Sequence, residues 1–215
     1  YEHSGAIQER IFIPVTESFD EIRLDMEKLS YHNDMGMLYL FRNQAIFGID
    51  LSSNEYMIVA DNLTEGCYAI SRDGGKIAWQ EGTDIYQSAI IHWFDLATGM
   101  TQEIRASEGD AIQCLGFVQE DFVYGLAEEG GTWILNGRTE GLPMYALEIV
   151  NPDLELQTRY EKEGYYITNV VVENARIHVE RYRKDGEHSY VHIDDDTIVC
   201  NTPEEEAYME GIGWF

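Results

Sequence analysis

The chain has 215 residues, 44% of them hydrophobic, so it is long enough to bury one good-sized core and too apolar to be disordered. It carries 40 acidic residues against 14 basic ones, a formal net charge of −26. That balance excludes nucleic-acid binding, which needs a basic footprint to replace phosphate counterions, and works against docking on anionic lipid. Its plain reading is solubility by self-repulsion.

No apolar run is long enough to span a bilayer, since even Ala89-Ile90-Ile91 soon meets polar residues. The chain begins at Tyr1 without a signal-peptide pattern, which leads us to expect a processed product or a piece of something longer. Three widely spaced cysteines, Cys67, Cys114 and Cys200, form neither a disulfide framework nor a zinc site.

In chain order, Arg10–Val15 and Phe19–Leu24 read as two strands. Met37-Leu38-Tyr39-Leu40 is the next, and a further strand ends at Ile49-Asp50. The clearest unit runs from Cys67 to Arg105. Strand Cys67–Ile70, turn Arg72-Asp73-Gly74-Gly75 and strand Lys76–Gln80 are followed by a loop, strand Ile90–Phe94, turn Asp95–Gly99 and strand Thr101–Arg105. Short β-branched and aromatic runs between Asp/Gly turns are how antiparallel meanders read. The same order returns with Phe122-Val123-Tyr124 and Leu147-Glu148, then with Arg176–Val179 and Ile193-Asp194.

The acidic positions at the third strands, Asp50, Asp95, Glu148 and Asp194, are 45, 53 and 46 residues apart. The long interval holds an insertion, Glu128 to Leu142. A period near ~45 residues with four strands per period is the spacing of β-propeller blades. The sequence therefore predicts an all-β propeller of four to five blades of four antiparallel strands, part of a larger or incomplete ring. The blades are expected at about 26–60, 67–105, 111–160 and 165–201, in a single domain spanning 1–215. Residues 1–25 then supply strands of a preceding blade. Residues 202–215 form an acidic tail in which Pro203 suits the first turn of a helix.

The segments Ile70-Ser71-Arg72-Asp73-Gly74-Gly75-Lys76-Ile77-Ala78-Trp79 and Ile91-His92-Trp93-Phe94-Asp95-Leu96-Ala97-Thr98-Gly99 resemble the TolB-type β-propeller repeat. That family carries Ser-Pro-Asp-Gly before its second strand and Asp-Leu-x-x-Gly after its third; Arg72 stands here in place of the proline. The resemblance covers about a fifth of the chain closely. It implies the fold and an extracytoplasmic or cell-surface location, and it implies no activity.

A search for chemistry finds no Gly-x-Ser-x-Gly elbow, no phosphate loop, no dinucleotide fingerprint and no zinc helix. A two-residue turn at Asp185-Gly186 would pair Arg183 with His188 and Val179 with His192. His178 and His192 then point to opposite faces, so the histidines do not converge on a metal. Asp194-Asp195-Asp196 lacks the Gly and distant Glu of a calcium loop and reads as a tight turn. Neither a metal nor a cofactor is expected. Trp79, Trp93 and Phe94 read as packing between blades.

The insertion is the candidate partner site. It carries Trp133 and Arg138 on the face where second-to-third-strand loops meet blade-to-blade connections, and Tyr86 of the Glu81–Ser88 loop is expected to approach from the side. Two functions fit: a non-catalytic propeller that binds a protein, peptide or glycan partner, or the propeller part of a larger hydrolase or carbohydrate-active enzyme.

Overall fold

Several strands of this chain carry apolar side chains at consecutive positions. Ile77, Ala78 and Trp79 follow one another, as do Phe122, Val123 and Tyr124. Successive strand residues point to opposite faces, so such sheets need cover on both sides. The computed structural model, which describes residues 12–82, 84–135, 138–173 and 175–200, shows how that is met.

After a helix, Phe19–Lys28 (α1), the chain forms Ser30–His32 (β1), Met37–Arg42 (β2), Ala45–Asp50 (β3) and Glu55–Ala60 (β4). Next come Tyr68–Ile70 (β5), Lys76–Gln80 (β6), Ile90–Asp95 (β7) and Thr101–Arg105 (β8). The third group is Asp110–Val118 (β9), Asp121–Glu128 (β10), Trp133–Leu135 (β11), Arg138–Gly141 (β12), Ala146–Val150 (β13) and Leu156–Glu161 (β14). The last is Tyr166–Glu173 (β15), Arg176–Lys184 (β16) and Tyr190–Val199 (β17). Consecutive strands pair antiparallel into sheets β1-β2-β3-β4, β5-β6-β7-β8, β9-β10-β13-β14 and β15-β16-β17, with β11-β12 a separate hairpin. Leu38, Ile77, Val123 and Ile177 lie on the second strands of four different sheets, as the repeat requires.

Three buried clusters lie between neighbouring sheets. Tyr39, Phe41 and Ile46 of the first meet Ile77 and Phe94 of the second. Ala78 and Trp93, on the other side of that second sheet, meet Cys114, Phe122 and Tyr124 of the third. Val123 and Leu147 of the third meet Ile167, Ile177 and Val179 of the fourth. This is the face-to-face stacking of propeller blades, four sheets in sequence. Polar groups join them as well. Buried Asn33 donates through Nδ2 to Leu96 O (2.9 Å), and Gln80 accepts from the Cys114 amide (2.9 Å). Between the third and fourth sheets, Arg181 holds Asp194 and Asp196, and Asp196 accepts from the Tyr160 hydroxyl. Close approach also needs Gly125, where a Cβ would lie 1.9 Å from Met144 Sδ.

The two outermost faces differ. On the fourth sheet, Asn169 donates to Glu180, Tyr182 donates to Glu180, and His178 and His192 contact Thr197 and Asp195. That face is mostly polar, with exposed Val171 beside His178, and its polar groups bond one another. On the first sheet, Leu40 and Phe47 line an apolar hollow with Ile13, Val15, Ile22 and Met26 from the preceding segment and α1.

Several expectations need correction. Phe19–Leu24 is helical because Ser18 and Glu21 form a reciprocal capping box and Arg23 pairs with Glu27 one turn on; strand-like content had concealed helical spacing. The described part of Arg10–Val15, from Phe12, is not a strand either. The fourth sheet has three described strands, and the acidic tail lies outside the described residues. Asp50 and Asp95 do end β3 and β7, but β13 and β17 run on past Glu148 and Asp194. Asp194-Asp195-Asp196 is mid-strand, where Arg181 and His192 take up the charges, and is not a turn. The β16–β17 loop is longer than two residues, with the Asp185 amide donating to Ser189 O. Arg183 therefore pairs with Val191 and Val179 with Asp196, which puts His178 and His192 on one face. Each is held by its own polar neighbour, and among the described residues no group of three or more His, Cys, Asp or Glu side chains could hold a metal ion.

Cys67 and Cys114 are free and buried, the Cys114 thiol pushed up by burial, and Cys200 is free and half-buried. Alkylation under native conditions is expected to reach Cys200 first and to spare Cys67 and Cys114 until denaturant is added, read by mass spectrometry. Trp93, only 1% exposed between the second and third sheets, should cost about 3–5 kcal/mol when changed to Ala, measured by denaturant unfolding. A loss near zero would mean that the sheets do not stack as described.

Candidate functional site

In an antiparallel meander, the loops joining second to third strands leave from the same end as those joining one sheet to the next. Hydrogen bonds tie the two kinds of loop together. Leu63 N donates to Gln44 O, Ala106 N to Ala89 O and Glu129 N to Gly109 O, each at 2.8 Å. This loop face carries two concave features.

The first lies at the insertion. β11 and β12 form a hairpin that leans on the β16–β17 turn: Ile134 N donates to His188 O (3.0 Å), and His188 Nδ1 is 3.2 Å from Thr132 O. The Trp133 ring packs at 5.0 Å on Tyr182, which meets His192 edge-on at 5.2 Å. Beside them is a cleft of about 180 Å³ lined by Glu128, Gly131, Tyr166, Lys184, His188 and Tyr190. Trp133 thus clasps the neighbouring sheet instead of closing back on its own. Arg138 pairs with Leu135 across the hairpin, and its side chain lies outside what the structure describes. Tyr86 does not stand over the hairpin; it is half-buried against the core between the third and fourth sheets. Of the three candidate residues, Trp133 and Arg138 share one hairpin and Tyr86 is engaged beneath the loops.

The second feature is a groove of about 840 Å³ between α1, the Asn43–Gln44 turn and the Leu63–Glu65 loop. Its floor holds Phe41 and Tyr68, with ring centroids 5.3 Å apart. Its walls carry Glu17, Glu21, Asp25, Glu27 and Glu65. The ammonium of Lys28 lies 4.7 Å above the Phe41 ring and 2.9 Å from Asp25 Oδ1, so a cation is already stable over that floor. Arg42 grips both oxygens of Glu17 at 3.1 Å, which fixes the start of α1 and, with backbone amides, lowers that carboxyl to about 2. Asp25 accepts from the Asn43 amide at 2.7 Å. Glu65 is exposed and makes neither a hydrogen bond nor an ion pair among the described residues. The groove was invisible while α1 read as a strand; the signal that could have found it is the Ser18-x-x-Glu21 capping pattern.

Hydrogen bonds keep Glu17 and Glu21, on the groove wall, ionised. Ser18 lowers Glu21, while Arg181 and Tyr160 are the leading causes of lowered pKa at Asp194 and Asp196. Asp121 is raised by burial, away from both concave features on the opposite loop face. Carboxylates held ionised suit cation binding better than proton transfer.

No family model matches the chain, and no curated protein matches it. Among solved structures it is similar to the RRP9 WD40 repeats, at 11% identity and a TM-score of 0.39, covering 77% of this chain and 50% of that one. It is also similar to oligogalacturonate lyase from Vibrio parahaemolyticus, at 15% identity and a TM-score of 0.39, covering 81% and 53%. The third is acylaminoacyl peptidase from Pyrococcus horikoshii, at 14% identity and a TM-score of 0.36, covering 81% and 33%. The chain thus spans about half or less of each of these proteins. The stacked sheets described above make it an all-β protein of propeller type.

The Glu17–Arg42 pair makes the seating of α1 depend on pH. A carboxyl lowered on folding contributes stability above its unfolded pKa, near 4.5, and loses it as pH falls toward 2. Helix signal by circular dichroism should therefore hold steady between about pH 5 and 7 and fall below about 4.5. Glu17→Gln should remove that part of the dependence, and an unchanged profile would show that the pair does not anchor the helix. Trp133→Ala should cost about 1–3 kcal/mol, the value of a partly buried aromatic clasp, in denaturant unfolding.

Proposed function

We propose that this chain is a non-catalytic propeller module that binds a protein or peptide partner on its loop face, in the groove between α1 and the first two sheets. The observation that carries this reading is the pairing of an aromatic floor, Phe41 and Tyr68, with a wall of carboxylates around about 840 Å³ of open space. An extended segment bearing Lys or Arg beside an apolar residue matches both surfaces: its cation meets the carboxylates and the half-buried Tyr68 ring, and its apolar neighbour covers exposed Leu24. The position of Lys28 over Phe41 supports it, because the chain's own ammonium occupies the kind of place a ligand cation would take. Charge adds long-range attraction, since a chain of −26 draws cationic partners to it. The insertion hairpin and Trp133 form the other end of the same face, where the second part of a longer partner would rest.

The test uses fluorescence anisotropy with a labelled lysine- and arginine-rich peptide containing one aromatic residue, and a glutamate-rich peptide as control. We expect binding of the basic peptide alone, weakened about tenfold between about 50 and 300 mM salt. The variant Glu65→Lys, at an exposed carboxylate that makes neither a hydrogen bond nor an ion pair among the described residues, should weaken it by a further factor of about 5 without changing the melting temperature. Loss of binding in Trp133→Ala with the groove variant unaffected would move the site to the insertion, and no binding of the basic peptide would overturn the reading.

A further inference from the structure

The outer strands of the four sheets guard their free edges differently. β8 carries Glu103 and Arg105, β14 carries Arg159 and Glu161, and β17 carries Asp194, Asp195 and Asp196. Charged side chains on an edge discourage another strand from pairing there. β4 has Glu55 at its start and then Tyr56-Met57-Ile58-Val59-Ala60 without a charge. Tyr56, Met57 and Ile58 are 53%, 56% and 55% exposed. β4 pairs only with β3, so its outer N–H and C=O groups have no strand partner among the described residues. An exposed apolar edge of this kind is a template for a further strand.

Charge selects the occupant. Two copies of a chain at −26 repel, so they can meet only where carboxylates stay apart. Antiparallel pairing about a two-fold axis through Met57 sets Tyr56 against Ile58 of the second copy, Met57 against Met57, and Glu55 against Val59. No like charges face each other, and the Tyr56–Ile58 and Met57–Met57 pairs are apolar. The same operation through the middle of β8 would set Glu103 against Glu103, and on β17 three aspartates against three. We propose that the chain self-associates through β4, two four-stranded first sheets joining edge to edge across a two-fold axis. The proposal is independent of the loop-face reading, because it concerns the rim of the first sheet.

Sedimentation velocity on the full chain over a concentration series tests it. The expected result is a doubling of mass with concentration and a tighter dimer at higher salt, because screening relieves repulsion between the copies. An interface held by ion pairs would show the opposite. Met57→Lys and Ile58→Lys should each weaken the dimer at least about tenfold with melting unchanged, since both side chains are exposed. Hydrogen exchange on the unmodified chain decides the matter if either variant fails to fold: amides of Glu55–Ala60 should gain protection as concentration rises. A monomer up to roughly 1 mM, a dimer indifferent to both lysines, or concentration-independent exchange in β4 would each overturn the proposal.

Discussion

Face-to-face burial between successive sheets is the constraint on which the rest of this structure depends. A single four-stranded sheet with Ile77 on one face and Ala78 and Trp93 on the other has no solvent side. It is stable only between two neighbours, and each neighbour poses the same demand. The three interfaces are therefore one cooperative array, in which stability is close to a sum of contacts between adjacent units. Buried amides and the Arg181 cluster add direction to what apolar contact alone leaves free to slide. Asn33 reaches across the first interface, Gln80 across the second and Arg181 across the third. Asn33 and Gln80 satisfy backbone groups that would otherwise be stranded away from water.

The repeat was legible because its signals are local. Ser71, Asp73 and Gly75 make the turn before β6 through a hydroxyl-to-carboxylate bond and an amide-to-carboxylate bond, and such chemistry is written in adjacent letters. Strand register was harder. The β16–β17 connection contains an Asp-Gly pair, yet the chain closes later, from Asp185 to Ser189, so His178 and His192 share one face where the two-residue turn set them on opposite faces. The site was less legible still. Tyr86 and Trp133 lie on loops at one end of the blades, but whether an aromatic ring is offered to a ligand or spent on a neighbouring sheet depends on contacts far away in sequence. Tyr182, the ring beneath Trp133, is 49 positions further along. The groove required a helix and two loops to meet, and no local pattern encodes such a meeting.

Negative charge has two distinct uses in this fold. Along the outer strands it discourages unwanted pairing, and on α1 it lines a hollow whose floor is aromatic. Both depend on neighbours that keep the carboxylates ionised: Arg42 for Glu17, Ser18 for Glu21, Arg181 for Asp194. The arginines thus do more than neutralise. Each bidentate grip fixes where a charge stands, so that the remaining acidic groups present a patterned field rather than a diffuse one.

The polar outer face of the fourth sheet bears on polymerisation. A propeller arc whose two ends were both apolar could stack head to tail, the last sheet of one copy on the first sheet of the next. Contacts of that heterologous kind repeat without limit and produce fibres. Here one face offers Leu40 and Phe47, whereas the other offers His178 bonded to Thr197, Glu180 bonded to Tyr182 and Asp195 bonded to His192, with Val171 exposed beside them. Stacking these two faces would strip water from bonded groups that gain no new partner, which disfavours that contact.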